Sequence, residues 1–127
     1  MNVNIKTAQL MGDADAKAAQ VLSVILAGVY LIVGFAQIAG VAGVAESFAQ
    51  WGYPAWFRIL IGALELLGGG LLLLPKASPL AAVGLMVVMA GAMYTHAVSG
   101  QYPMILLNVL LIALLGWLGW LRRPTIS

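Results

Sequence analysis

The stretch Phe57-Arg58-Ile59-Leu60-Ile61-Gly62-Ala63-Leu64-Glu65-Leu66-Leu67-Gly68-Gly69-Gly70-Leu71-Leu72-Leu73-Leu74 decides how this chain folds. It approaches the ~20 residues with which a helix crosses the hydrocarbon core of a bilayer. The rest of the 127-residue chain agrees: 63% of it is hydrophobic, 8% is charged, and the mean hydropathy is +1.03. A soluble domain is roughly half apolar and about a quarter charged. A carboxyl group in the middle of such a segment costs a few kcal/mol or more unless it is paired or neutral, so Glu65 stands out as a functional residue.

Three further apolar stretches, at about 19–40, 79–98 and 103–121, have the same length and character as 57–74. None shows the period-two alternation of a barrel strand, and only helices or closed barrels satisfy their backbones in lipid. Punctuation supports helices. Ser78-Pro79 reads as an N-cap followed by proline at the first helical position, and Pro54 and Pro103 open their helices similarly. The expected fold is an all-α membrane protein, a four-transmembrane-helix bundle forming one domain over 1–127. The first apolar run exceeds the ~7–15 residues of a signal core, so it is expected to be retained.

The formal charge of +2 is too small and scattered to suggest nucleic acid, and without cysteine there is no thiolate ligand, nucleophile or disulfide. An even number of spans puts both termini and the 75–79 loop on one side. That side carries Lys6, Lys17, Lys76, Arg122 and Arg123, against Arg58 alone on the other. The positive-inside rule then places both termini in the cytoplasm, for a multi-pass protein of the cell membrane. Trp51, Tyr53, Trp56 and Tyr102 form the expected outer aromatic belt. The 44–52 stretch reads equally well as a short interfacial segment or as an irregular loop held by aromatics.

In the second span Arg58, Gly62, Glu65 and Gly69 fall on one helical face, so that face should pack against protein. Glu65 lies about 10 Å deeper than Arg58, which leaves room for a pair formed directly or through water. The other spans add Tyr30 and Gln37, which share a face with Gly34, and then His96 and Asn108. Gln37, Arg58, Glu65, His96 and Asn108 all belong to the outer halves of their helices, whereas the inner halves are almost wholly aliphatic. These five are expected to line one outward-opening cavity, with Tyr30 beside them as a ligand-binding or proton-relay residue. Met86, Met89 and Met93 share a face with His96, but such a stripe more often fills a core than holds copper. No catalytic residue or metal site is expected.

The run 57–75, together with Gly91-Ala92-Met93-Tyr94-Thr95-His96, resembles the DoxX-like family of small four-helix integral membrane proteins. The R-x-x-x-G-x-x-E-x-x-G helix, the Leu-Leu-Pro exit and the G-A-x-x-T-H end of the third span carry the resemblance. Gly34-Phe35-Ala36-Gln37-Ile38 and Gly52-Tyr53-Pro54-Ala55-Trp56 add to it, although many members have lysine where Gln37 stands. The resemblance implies a redox- or stress-associated membrane subunit, since relatives include a small subunit of a thiosulfate:quinone oxidoreductase and a receptor-assembly chaperone. Quinone or another lipid is then the ligand expected in the Arg58, Glu65 and His96 pocket. Arg58 would orient a carbonyl, Glu65 would exchange a proton and His96 would donate a hydrogen bond. A membrane-protein assembly chaperone or interaction subunit is the alternative, working with a membrane protein partner or as a homo-oligomer among membrane lipids. A small proton-coupled exporter is a third reading, but such exporters carry their glutamate in the first helix.

Overall fold

The computed structural model describes residues 2–41 and 43–124, so the ends of the expected 1–127 domain and residue 42 lie outside it. The chain forms α1 (Asn2–Ala39), α2 (Val44–Gln50), α3 (Ala55–Leu72), α4 (Ser78–Val98) and α5 (Tyr102–Leu121), with no strand among the described residues. Four of these helices are long and apolar enough to cross a membrane. The molecule is an all-α membrane bundle.

Helix starts fall within one residue of the proline punctuation, although Ser78 is the first residue of α4 and not its N-cap, which is Ala77. Pro54 is the N-cap of α3, and α4 and α5 each carry proline in their first turn. There the missing N–H leaves no donor unsatisfied, and the fixed φ suits the helix. The first helix departs from expectation, because α1 has 38 residues and runs on from the polar segment 2–18 without a break. At about 1.5 Å per residue it reaches ~57 Å, nearly twice the hydrocarbon thickness. The 44–52 stretch resolves as the short helix α2, with Phe48 buried under it.

The bundle consists of two hairpins. α1 packs most extensively on α3, and α4 on α5; α3 and α4 join the two halves, and α1 meets α5 only slightly. The α1–α3 contact is close because it is built on glycine. A Cβ placed on Gly34 would stand 2.7 Å from the Gly62 carbonyl, and one on Gly62 would stand 2.8 Å from the Gly34 carbonyl. One contiguous apolar cluster fills the end nearer the termini, from Ala19, Leu22 and Leu26 through Tyr30, Leu72, Leu85 and Met89 to Leu115 and Leu118. Beyond Tyr30, Met89 and Leu115 the buried positions turn polar, and Glu65, Thr95, His96 and Asn108 occupy them.

Candidate functional site

Glu65 is 2% exposed and Tyr30 is 1% exposed. They meet across the α1–α3 seam because the glycines set its register. Gly69 abuts the Tyr30 Cβ and Gly62 abuts the Gln37 Cβ, so Glu65, midway between the two glycines, is bracketed by Tyr30 and Gln37. The Gln37 side chain lies beside the Glu65 carboxyl, and the Tyr30 side chain is buried on the same seam. Tyr30 Oη, Gln37 Oε1 and Glu65 Oε2 are all buried without a hydrogen-bond partner. A buried polar atom left in that state costs about 1–3 kcal/mol, so the carboxylate's own Oε2 and the two atoms flanking it form a receptive site.

The second polar group sits on the other hairpin. His96 Nδ1 donates to Asn108 Oδ1 at 2.7 Å, and Asn108 Nδ2 donates to Met89 Sδ at 3.6 Å. This use of Nδ1 leaves Nε2 of the neutral imidazole as an acceptor. The two groups are staggered in depth. Gly68 of α3 abuts Leu85 of α4; toward the end remote from the termini, Glu65 is three residues from Gly68, whereas Met89 is four residues and His96 eleven residues from Leu85. At about 1.5 Å per residue Met89 is level with Glu65, and His96 lies ~12 Å beyond it.

An aromatic cover closes the end of the bundle remote from the termini. The Trp51 ring meets the His96 ring edge-on with centroids 5.5 Å apart, and Phe48 packs 5.1 Å from Trp51. Thr95 donates to the Gly91 carbonyl at 3.1 Å and accepts from the Tyr53 hydroxyl at 2.8 Å, which pins the cover to α4. Trp51 and Tyr53 therefore belong to this cover rather than to the outward-facing belt. Trp56 and Tyr102 are each 66% exposed. Gln101, at the N-cap of α5, adds another buried unpartnered oxygen near this end.

Of the two forms of pairing expected for Arg58, direct or through water, the direct one is not formed with Glu65; its Nη1 donates to the Gln37 and Ile38 carbonyls at the end of α1. The six candidate residues thus divide into three places. Tyr30, Gln37 and Glu65 share the α1–α3 seam, His96 and Asn108 bond across α4–α5, and Arg58 locks the α1 terminus. Two cavities open on the flanks of the bundle, and neither is lined by any of the six.

Sequence reasoning passed over the roles of Trp51, Tyr53 and Thr95, although Thr95 stands beside His96 in the quoted motif. It also read Arg122 as topology alone. The structure ties its Nη1 to the Leu72 carbonyl at 2.8 Å and to the buried Ser78 hydroxyl at 2.7 Å. Only a helix register could have disclosed such contacts, and one sequence does not fix it. Neither the curated proteins nor the solved structures include a match to this chain. The sequence model of the DoxX-like family matches residues 21–118, a span that includes all six candidate residues, and the chain belongs to that family.

Proposed function

We propose that the protein is a membrane subunit that binds a quinone-like or other lipophilic small molecule among Tyr30, Gln37, Glu65 and the His96–Asn108 pair. The observation carrying this reading is the set of three buried, partnerless polar atoms on Tyr30, Gln37 and Glu65, placed where the apolar core gives way to polar side chains. A head group with oxygens along an apolar ring supplies both hydrogen-bond partners and packing surface. When bound, such a group would supply two-electron redox chemistry. The chain's own residues would hold it. The Tyr30 hydroxyl donates to one ring oxygen, and in the reduced, hydroxyl-bearing form Glu65 and His96 Nε2 accept from the ligand's O–H groups, Glu65 taking or returning the proton. Arg58 keeps α1 in register and does not touch the ligand.

The test uses the full chain in nanodiscs and decylubiquinone, in its oxidised and reduced forms, followed by quenching of tryptophan fluorescence. Glu65→Gln is expected to weaken binding about tenfold, the loss of one charge-assisted hydrogen bond, with helical content unchanged. Leu67→Ala, at a position 61% exposed, should leave binding as it was. Equal binding by Glu65→Gln and the parent chain would remove the proposal.

A second reading, an assembly chaperone or interaction subunit, has one observation in its favour. An apolar groove of about 470 Å³ runs between α3 and α4, and its wall of Gly68, Ala77, Ala81 and Gly84 is shallow enough to admit a partner helix. Loss of a co-purifying membrane protein on Gly84→Leu, with decylubiquinone binding absent throughout, would favour it. For topology we propose a cell-membrane protein with both termini in the cytoplasm, from the five-to-one distribution of Lys and Arg. Reporters fused after residue 127 and inserted at residue 47 should register opposite sides. Registration of both on one side would overturn this orientation.

A further inference from the structure

The end of the bundle that holds the termini has a polar feature of its own. Ser78 is fully buried, and its hydroxyl has the Leu72 and Leu74 carbonyls at 2.6 and 3.0 Å as acceptors for its proton. The same hydroxyl accepts from Arg122 Nη1, which also donates to Leu72. These bonds fix the guanidinium in place and use only one of its three nitrogens. Arg122 also lines a cavity of about 560 Å³ with Ala16, Ala19, Gln20, Val24 and Leu121. The cavity lies where α1, the α3–α4 turn and the end of α5 converge, at the mouth of the slightly packed α1–α5 seam. Lys76 is exposed and follows Pro75, which lines the cavity, and Lys17 is exposed on α1 next to Ala16. Asp13 and Asp15 are exposed farther along α1.

We propose that this cavity binds the headgroup of an anionic phospholipid from the leaflet on the side of the termini. The phosphate sits against the free edge of Arg122, with the Gln20 side-chain amide as a second donor. One acyl chain follows Val24 and Leu121 into the α1–α5 seam. Several features select a lipid over a free anion. The cavity wall is mostly apolar, the opening lies beside a seam between membrane-spanning helices, and the guanidinium is already ordered before the ligand arrives, which lowers the entropic cost of binding. Basic pockets between transmembrane helices are suited to such headgroups.

Native mass spectrometry of the full chain in detergent, with dioleoylphosphatidylglycerol and dioleoylphosphatidylcholine added in turn, tests the proposal. Phosphatidylglycerol should be retained about fivefold or more over phosphatidylcholine, the preference one well-placed cation supplies. Arg122→Gln should abolish that preference. Because Arg122 also braces Leu72 and Ser78, Gln20→Glu provides the second variant. Gln20 is exposed on α1, so the fold survives while a carboxylate repels the phosphate, and the preference should again be lost. Equal retention of the two lipids by the parent chain, or an unchanged preference in Gln20→Glu, would overturn the proposal. Inorganic phosphate that binds at millimolar concentration and is lost in Gln20→Glu would mark a free-anion site and overturn the lipid assignment.

Discussion

Gly62→Leu is expected to leave little folded protein, and Gly34→Leu should behave the same way. A Cβ at either position would meet the opposite helix's backbone carbonyl, at 2.8 Å for Gly62 and 2.7 Å for Gly34. Backbone cannot rotate aside as a side chain does, so α1 and α3 would have to separate. Separation breaks the longest contact in the bundle and opens the seam that brackets Glu65. Overpacking of this kind costs about 3 kcal/mol or more where no side chain can yield. Gly70 and Gly84 provide the control, since a Cβ on either meets nothing within 4 Å. Gly70→Ala and Gly84→Ala should be neutral or stabilising by up to ~1 kcal/mol, the helix-propensity difference between the two residues. Thermal melts in detergent, read by circular dichroism with size-exclusion profiles, separate the two groups. A Gly62→Leu variant that melts like the parent would mean that the helices are not held at this distance.

That close contact was half-legible. The Arg58, Gly62, Glu65, Gly69 face told that α3 packs against protein there, and the Tyr30, Gly34, Gln37 face told the same of α1. Nothing in one sequence says that the two faces meet, or in which register. The four spans were legible because apolar length is itself the physical requirement for crossing a bilayer. The continuation of α1 through 2–18 was missed because hydropathy fades there, even though the segment is rich in alanine and has no proline. Helix propensity was the signal that remained. The carbonyl contacts of Arg58 and Arg122 were not legible, for one shared reason. Both lie near helix ends, where unpaired carbonyls are the nearest acceptors, and neither a search for opposite charges at Arg58 nor a count of charges per side at Arg122 detects carbonyls.

Arg58→Ala is accordingly expected to cost about 2–3 kcal/mol, the worth of a hydrogen bond to a charged group at a helix end. The α1 terminus explains why. Gly40 turns the chain at φ +65, with Gly40 N–H donating to the Gln37 carbonyl at 3.3 Å and Val41 N–H to the Ala36 carbonyl at 3.2 Å. Those backbone donors leave the Ile38 carbonyl to Arg58 Nη1, which reaches it at 3.3 Å and also serves Gln37. A cation at this position complements the negative end of the helix as well. Glu65→Gln should change stability by less than ~1 kcal/mol, since it removes no ion pair and keeps the shape of the side chain. The double variant then discriminates between the two pictures of this face. If Arg58 serves α1 and Glu65 serves a ligand, the two effects on stability add, with coupling below ~0.5 kcal/mol. Coupling above ~1 kcal/mol in the same cycle would mean that guanidinium and carboxylate meet after all. The pair would then be a packing device, and the polar atoms around Glu65 would lose their standing as a ligand site.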